Sequence, residues 1–170
     1  MSPYVKDVLM FLVKHHEFIP CQLCKYKKGK TMKVTGKKIG KLAFEIKQDT
    51  HTYTLDVPKN VGGENRGPSP KGLLLSGLIG CTGIDVSLIL KKMRVEYEEI
   101  EIQAETELTD EDPKVFKEII LSYHITGKST DAKKIKKAIS LSMETYCGVS
   151  AMLEKNSIIT PEIYLNNKKI

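Results

Sequence analysis

The sequence has no tryptophan, and aromatic residues make up only 6% of its 170 residues. Arginine occurs only at Arg66 and Arg94, although the formal net charge is +6. Surfaces that bind nucleic acids normally combine arginine with stacking aromatic side chains. The stretch from residue 25 to residue 41 contains eight lysines but only one aromatic residue. We therefore interpret this lysine-rich stretch as a solvated edge of the protein, and we predict no nucleic-acid partner.

The sequence also lacks a basic leader with a small-residue cleavage site, and it has no heme, nucleotide or flavin motif. The apolar run over residues 73–84 ends at Asp85, well short of the about 20 residues that a membrane span needs. We therefore predict a cytoplasmic protein with no membrane partner and no cofactor. In a reducing compartment, its four cysteines favour thiol or metal chemistry over a disulfide scaffold.

Two regions are predicted from the change of pattern along the chain. Residues 1–30 are predicted to be an N-terminal helical extension that ends in a CxxC motif at Cys21 and Cys24, and residues 31–170 are the main domain. Two histidines precede this motif, so a zinc site is one interpretation. The spacing fits no standard finger, however, and we prefer two ordinary thiols and predict no metal.

The main domain is predicted to be α+β. Between residues 32 and 57, apolar and polar residues alternate with a period of two, which indicates three short antiparallel strands. A second alternating pair, residues 100–104 and 119–125, predicts a hairpin with one acidic, solvent-exposed face. Residues 135–146 carry an apolar row at helical spacing, and residues 163–165 indicate a closing strand. The order is three strands, helix, two strands, helix and strand.

The first long helix is predicted to begin at Pro70, with Ser69 as its cap. The apolar residues 73–84 go round the helix, which is typical of a helix that is covered on most sides. Four glycines in this helix each cost about 1 kcal/mol of helix propensity relative to alanine. That cost favours close packing against another backbone, such as a second copy of this helix.

One cysteine falls in each predicted long helix, Cys81 in the first and Cys147 at the end of the second. A buried helical cysteine is most often an inert hydrophobe, because burial raises its pKa. Two of them on the inward sides of central helices suggest a redox pair, since a sulfenic acid on one needs a nearby thiol to trap it. Gly148 predicts either a kink or a new helical segment whose N–H groups would favour a thiolate.

Three motifs carry a family resemblance: GPSP at residues 67–70, GCTGIDV at 80–86 and YCGVS at 146–150. Together they resemble the OsmC/Ohr family, in particular its YhfA-like branch. The resemblance runs from about residue 33 to the C-terminus. It implies a two-layer OsmC-like fold with antiparallel sheets and two long central helices. It also implies subunits that intertwine as a homodimer, with active sites at the subunit interface.

The resemblance also implies roles for the two cysteines. In peroxidase members of the family, the first helix cysteine attacks the peroxide and the second resolves the sulfenic acid, which corresponds to Cys81 and Cys147 here. Peroxidase members usually have a glutamate directly after the proline that opens the first helix, paired with an activating arginine. This sequence has Lys71 at that position. We therefore predict that Arg66 is the activating cation and Glu64 its partner.

These features predict a thiol-dependent peroxidase that reduces organic hydroperoxides in oxidative-stress defence and is recycled by an external dithiol. The alternative is a non-peroxidase OsmC-like protein that binds a hydrophobic small molecule at the dimer interface. Lys71 favours this alternative, whereas the two cysteines favour the peroxidase. A third class, an accessory protein that uses the N-terminal CxxC and the lysines, predicts bound zinc or salt-dependent retention on DNA.

We expect a homodimer both for the full chain and for a chain that begins at Thr31. The full chain should dimerise because the apolar surface of the first helix exceeds what one subunit can cover. The shortened chain should do the same because it lacks only the N-terminal extension, which we interpret as an added element. Sedimentation at micromolar concentration measures both proteins. A folded monomer would contradict the dimer, and unfolding of the shortened chain would place the extension in the core.

Overall fold

The computed structural model describes residues 31–170, so the predicted N-terminal extension and its CxxC lie outside the described residues. The strands are β1 (Val34–Lys38), β2 (Phe44–Gln48), β3 (His51–Leu55), β4 (Tyr97–Leu108), β5 (Phe116–Gly127), β6 (Ile158–Leu165) and β7 (Lys168–Lys169). The α-helices are α1 (Pro70–Lys92), α2 (Ala132–Leu141) and α3 (Gly148–Leu153). A π-helical turn over Ser142–Tyr146 follows α2 directly.

The first three strands form an antiparallel sheet, as the alternating pattern predicts. The register places five apolar side chains on one face of this sheet, and none of the five is fully buried: Val34, Phe44, Ile46, Tyr53 and Leu55. Phe44 is 43% exposed and Val34 is 49% exposed. This sheet therefore has an apolar face that the described chain does not cover.

The second sheet has the order β4-β5-β6-β7. The β4–β5 hairpin is confirmed, and alternate residues of β4 are exposed on its acidic face. The expectation of antiparallel sheets is wrong for one pair, because β5 and β6 are parallel. A parallel pair requires a crossover connection, and here α2, the π-helical turn and α3 provide it.

The hydrophobic core lies between the second sheet and the two long helices. Alternate residues of β5 are buried, as a period of two predicts: Ile119, Leu121, Tyr123 and Ile125. Buried residues of α1 and α2 share this core, among them Leu78, Val86, Ile89 and Leu90 of α1 and Ile135, Ala138 and Ile139 of α2. The apolar faces of the strands and of the helices therefore pack against each other in one core.

The start of α1 is as predicted, because Ser69 Oγ accepts a hydrogen bond from the Gly72 N–H at 3.2 Å and Pro70 is the first helical residue. The rest of the described chain does not cover all of its apolar surface. Leu74 is 50% exposed and Ile84 is 44% exposed. Within this one chain, α1 is therefore covered on one side only.

By length and composition, α1 is the one helix among residues 31–170 that could cross a membrane. Core helices of soluble proteins meet the same two criteria. Since Leu78, Val86 and Leu90 of this helix are buried in the core against the sheet, we assign α1 as a core helix.

Candidate functional site

The two cysteines predicted to act together are adjacent in the structure. Cys81 lies in the middle of α1, and Cys147 is the residue immediately before α3. Their sulfur atoms and a carboxylate oxygen of Asp85 lie within 4.8 Å of one another. Both cysteines are free thiols. Cys147 is only 2% exposed whereas Cys81 is partly exposed, so Cys81 is the sulfur that a solute reaches more easily.

The π-helical turn places Cys147 at this point. The Cys147 N–H donates to the Ser142 carbonyl at 2.7 Å, a bond that spans five residues. Cys147 then has an extended backbone, and Gly148 begins α3. Of the two possibilities at Gly148, the new helical segment is the one that forms. The break in the helix leaves the Cys147 side chain facing inward, as its apolar row predicts.

The first turn of α3 directs backbone N–H groups at both sulfurs. The Ser150 N–H donates to Cys147 Sγ at 3.3 Å. The Val149 N–H donates to the sulfur of Cys81. Hydrogen bonds of this kind favour the ionised form of a thiol. The backbone after Cys147 therefore provides one hydrogen-bond donor to each of the two sulfurs.

Asp85 also belongs to the site. In the sequence pattern, this residue marks only the point at which an apolar run ends. It lies four residues after Cys81, on the same face of α1, and is only 3% exposed. A carboxylate is rarely buried without a specific set of partners. The signal that could have found it is its spacing of one helical turn from a cysteine.

Buried hydroxyl groups connect Asp85 to the sheet. Ser142 Oγ donates to Asp85 Oδ2 at 3.4 Å and lies 3.0 Å from Thr82 Oγ1. The Thr82 hydroxyl is 2.6 Å from the Tyr123 hydroxyl on β5. Burial raises the pKa of Tyr123, so its hydroxyl stays protonated. Since a buried polar group left without a partner costs about 1–3 kcal/mol, these contacts fix the orientation of the side chains around the site.

The pKa of the Cys81 thiol is raised from 9.0 to about 12, and burial is the largest cause. The hydrogen bond with Cys147 and the negative charge of Asp85 also raise this pKa, whereas the Val149 N–H lowers it. At neutral pH the thiolate of Cys81 is therefore scarce in a single chain. A nucleophilic role for Cys81 requires an additional positive group.

Arg66 and Glu64, the predicted activating pair, lie on the loop between β3 and α1. Arg66 Nη1 is 4.0 Å from Glu64 Oε2 and donates to the Ile39 carbonyl at 3.2 Å. Both side chains are more than two-fifths exposed. Within this chain, neither residue is among the groups that shift the pKa of Cys81. The activating role of Arg66 therefore stays a prediction.

A buried carboxylate fixes the loop that carries this pair. Asp56 accepts hydrogen bonds from the backbone N–H groups of Val57, Glu64 and Arg66 at 2.8, 3.0 and 3.1 Å. Burial alone would raise the pKa of Asp56, but these hydrogen bonds outweigh it and the pKa is lowered. Arg66 is thus held through its backbone while its side chain remains accessible.

A family model described as OsmC-like protein matches residues 63–162, which are more than half of the chain and include both cysteines of the site. The chain belongs to the OsmC-like protein family. The resemblance carried by the three sequence motifs is therefore confirmed, and so is the two-layer OsmC-like α+β fold that it implies.

The chain is similar both to a curated protein sequence and to solved structures of the same fold. Protein YhfA of Escherichia coli (strain K12) is 36% identical over 96 residues, which are 56% of this chain and 72% of YhfA. The crystal structure of a hypothetical protein from Aquifex aeolicus VF5 is similar with a TM-score of 0.67 at 28% identity, covering 81% of this chain and 98% of that one.

An organic hydroperoxide resistance protein from Elizabethkingia anophelis is also similar in structure. Its TM-score is 0.64 at 21% identity, covering 82% of this chain and 99% of that one. At this identity the likeness shows a shared fold alone.

We expect Asp85→Asn to lower the pKa of Cys81, because it removes a negative charge that disfavours the thiolate and keeps the shape of the side chain. The pH profile of Cys81 alkylation by iodoacetamide, followed by peptide mass spectrometry, should then shift to lower pH. Asp131→Asn is the matched control, since Asp131 pairs with Lys134 at the start of α2. Identical profiles for the two variants would show that Asp85 does not act on Cys81.

Proposed function

We propose that this OsmC-like protein is a thiol-dependent peroxidase that reduces organic hydroperoxides in oxidative-stress defence. The observation that carries the proposal is the closeness of the Cys81 and Cys147 sulfurs, which lie within 4.8 Å of each other. A sulfenic acid on one cysteine is trapped only when a second thiol is near enough to form a disulfide. The pair needs little movement to reach that state, in which Cα atoms lie within about 7 Å.

The exposure of the two sulfurs supports a division of roles. Cys81 is the more accessible sulfur and acts as the peroxidatic thiol, and the buried Cys147 acts as the resolving thiol. The Cys81 thiolate attacks an oxygen of the hydroperoxide, the O–O bond breaks, and the alcohol leaves once protonated. Cys81 is now a sulfenic acid, and the Cys147 thiol attacks it to form a disulfide and release water. An external dithiol, in a reducing cytoplasm, returns both cysteines to thiols.

The surroundings of Cys81 on α1 favour an organic hydroperoxide over hydrogen peroxide. Leu74 lies two helical turns before Cys81, and Ile84 lies one turn after it on the same face. Both are about half exposed. A Cβ placed at Gly77, between them, would meet nothing within 4 Å in the described chain. An alkyl substituent can bury its apolar surface against these residues, and hydrogen peroxide has no such substituent.

A homodimer completes the site in this proposal. The described chain leaves two apolar surfaces uncovered, one on α1 around Leu74 and Ile84 and one on the first sheet around Val34 and Phe44. Exposed apolar surfaces of this kind mark interfaces, and obligate dimers have apolar ones. A second copy of the chain that lies over the α1 surface places Cys81 at the subunit interface, so that the alkyl substituent is held between Leu74 and Ile84 of one subunit and the other subunit.

The dimer also provides the positive group that Cys81 needs. Arg66 is held by Asp56 through its backbone, and its side chain is 44% exposed. We assign the activation of Cys81 to Arg66 of the second subunit, with Glu64 orienting the guanidinium. A guanidinium beside the sulfur would offset the effects of burial and of Asp85 on the pKa of Cys81.

The two cysteine variants should fail differently. Cys81→Ser should abolish consumption of cumene hydroperoxide, because serine forms no sulfenic acid. Cys147→Ser should consume about one equivalent per chain and then stop, because sulfenic acid on Cys81 is no longer resolved. Residual hydroperoxide distinguishes these two variants when it is quantified over time without added reductant, because a dithiol would itself reduce the sulfenic acid. Repeated turnover of the other proteins is measured with a dithiol present. The double variant Cys21→Ser, Cys24→Ser is the control and should turn over normally. Continued turnover by Cys81→Ser would rule out the mechanism.

Arg66→Ala should slow the first oxidation of Cys81 by about 10-fold or more, which corresponds to roughly 1.4 kcal/mol in the barrier. The matched control is Arg94→Ala, which removes the only other arginine of the chain, two residues after α1 ends. The rate of sulfenic acid formation and the circular dichroism spectrum are measured for both variants. Equal oxidation rates in the two folded variants would contradict the activating role.

The second candidate function is a non-peroxidase OsmC-like protein that binds a hydrophobic small molecule at the dimer interface. Two observations favour it: the raised pKa of Cys81, and the exposed Lys71 where peroxidase members usually have a glutamate. The apolar surface around Leu74 and Ile84 would then hold a ligand without reacting with it. A dimer that binds an alkyl alcohol but leaves Cys81 reduced in excess hydroperoxide would support this candidate.

A further inference from the structure

We propose that Cys81, Cys147 and Asp85 form a zinc-binding site in the reduced protein. They supply two sulfur atoms and one carboxylate oxygen that lie within 4.8 Å of one another. Around a tetrahedral zinc ion, with Zn–S about 2.3 Å and Zn–O about 2.0–2.2 Å, ligand atoms are roughly 3.5–3.8 Å apart. Shifts of about 1 Å in the side chains are therefore enough to bring all three ligands around one ion.

The combination of ligands selects zinc among common metal ions. Magnesium and calcium prefer oxygen ligands, so a site with two sulfurs disfavours them. Copper(I) prefers soft sulfur ligands, so the carboxylate of Asp85 disfavours it. Zinc accepts both ligand types and commonly keeps a water molecule as a fourth ligand when the protein supplies three.

A buried hydroxyl three residues after Cys147 offers a hydrogen-bond partner for such a water molecule. Ser150 is completely buried, and its Oγ has no hydrogen-bond partner among residues 31–170. Its backbone N–H is the group that bonds to Cys147 Sγ. Buried hydroxyl groups are normally hydrogen-bonded, and ordered water often supplies the missing partner.

The groups around the three ligands are arranged as in known zinc sites, where hydrogen bonds orient the ligands. Ser142 Oγ donates to Asp85 Oδ2 at 3.4 Å, and a carboxylate can accept such a bond and bind a metal at the same time. The N–H groups of Val149 and Ser150 donate to the two sulfurs. These contacts are already present in the described chain, so little has to rearrange when an ion binds.

Zinc binding and disulfide formation are mutually exclusive at this site. Two thiols and Zn²⁺ give a zinc dithiolate and release two protons. A Cys81–Cys147 disulfide has no thiolate to offer and cannot bind the ion in this way. The proposal goes beyond the peroxidase function and does not rest on it, because metal binding needs only the reduced cysteines and Asp85.

Cobalt titration tests the site, since Co²⁺ bound by thiolates gives a sulfur-to-metal charge-transfer absorption and Zn²⁺ displaces it. The full-length protein carries Cys21→Ser and Cys24→Ser, which remove the other cysteine pair. It is reduced with a phosphine, freed of metal with a chelator and titrated without peroxide. We expect saturation at about one Co²⁺ per chain and loss of the absorption in Cys81→Ser and Cys147→Ser. Asp85→Asn should keep the absorption but weaken binding by more than about 10-fold.

Asp131→Asn is the control and should bind as the parent protein does. Absence of thiolate absorption at saturating Co²⁺ would overturn the proposal, and so would unchanged affinity in Asp85→Asn. Circular dichroism identifies any cysteine variant that fails to fold, and the parent protein and Asp85→Asn decide the question in that case. Because no peroxide is present, a negative result leaves the peroxidase function untouched.

Discussion

The contact between the hydroxyl groups of Thr82 and Tyr123, at 2.6 Å, joins α1 to the centre of the second sheet. Thr82 also lies 3.0 Å from Ser142 Oγ, which ties the same point of α1 to the π-helical turn. Cys81 is the residue before Thr82 in α1, and Cys147 directly follows the π-helical turn, so the closeness of their sulfurs depends on this contact. Either hydroxyl left unpaired in the core would cost about 1–3 kcal/mol, so the arrangement is strongly specified.

Much of the fold could be predicted from the sequence because its patterns are local. The alternation along β1–β5, the Ser69 and Pro70 start of α1, and the inward-facing Cys147 all depend on residues a few positions apart. The parallel β5–β6 pair depends on how the crossover returns to the sheet, and no local pattern encodes that. The π-helical turn was not predicted either, since its sequence continues the apolar row of α2.

The site was predicted in part. The cysteine pair was identified because two cysteines fell on the inward sides of two helices. Asp85 was missed because an acidic residue after an apolar run normally marks the solvent-exposed end of the run, whereas here hydroxyl groups from other elements surround it. The roles of Arg66 and Glu64 stay predictions, since neither residue shifts the pKa of Cys81 within one chain.

One chain by itself contains both a favourable and an unfavourable condition for peroxide chemistry. The two sulfurs lie within 4.8 Å of each other, but burial, Cys147 and Asp85 hold the pKa of Cys81 at about 12. The uncovered face of α1 lies beside Cys81, and in the proposed dimer the subunit that covers this face also supplies the missing positive charge. In the proposed dimer, the reactivity of Cys81 therefore requires both subunits.

The most direct measurement is a non-reducing peptide map of the full-length protein after one equivalent of an organic hydroperoxide. We expect a disulfide-linked pair of peptides that contain Cys81 and Cys147. The central claim would be contradicted if both cysteines remained thiols, or if the only disulfide formed joined Cys21 to Cys24.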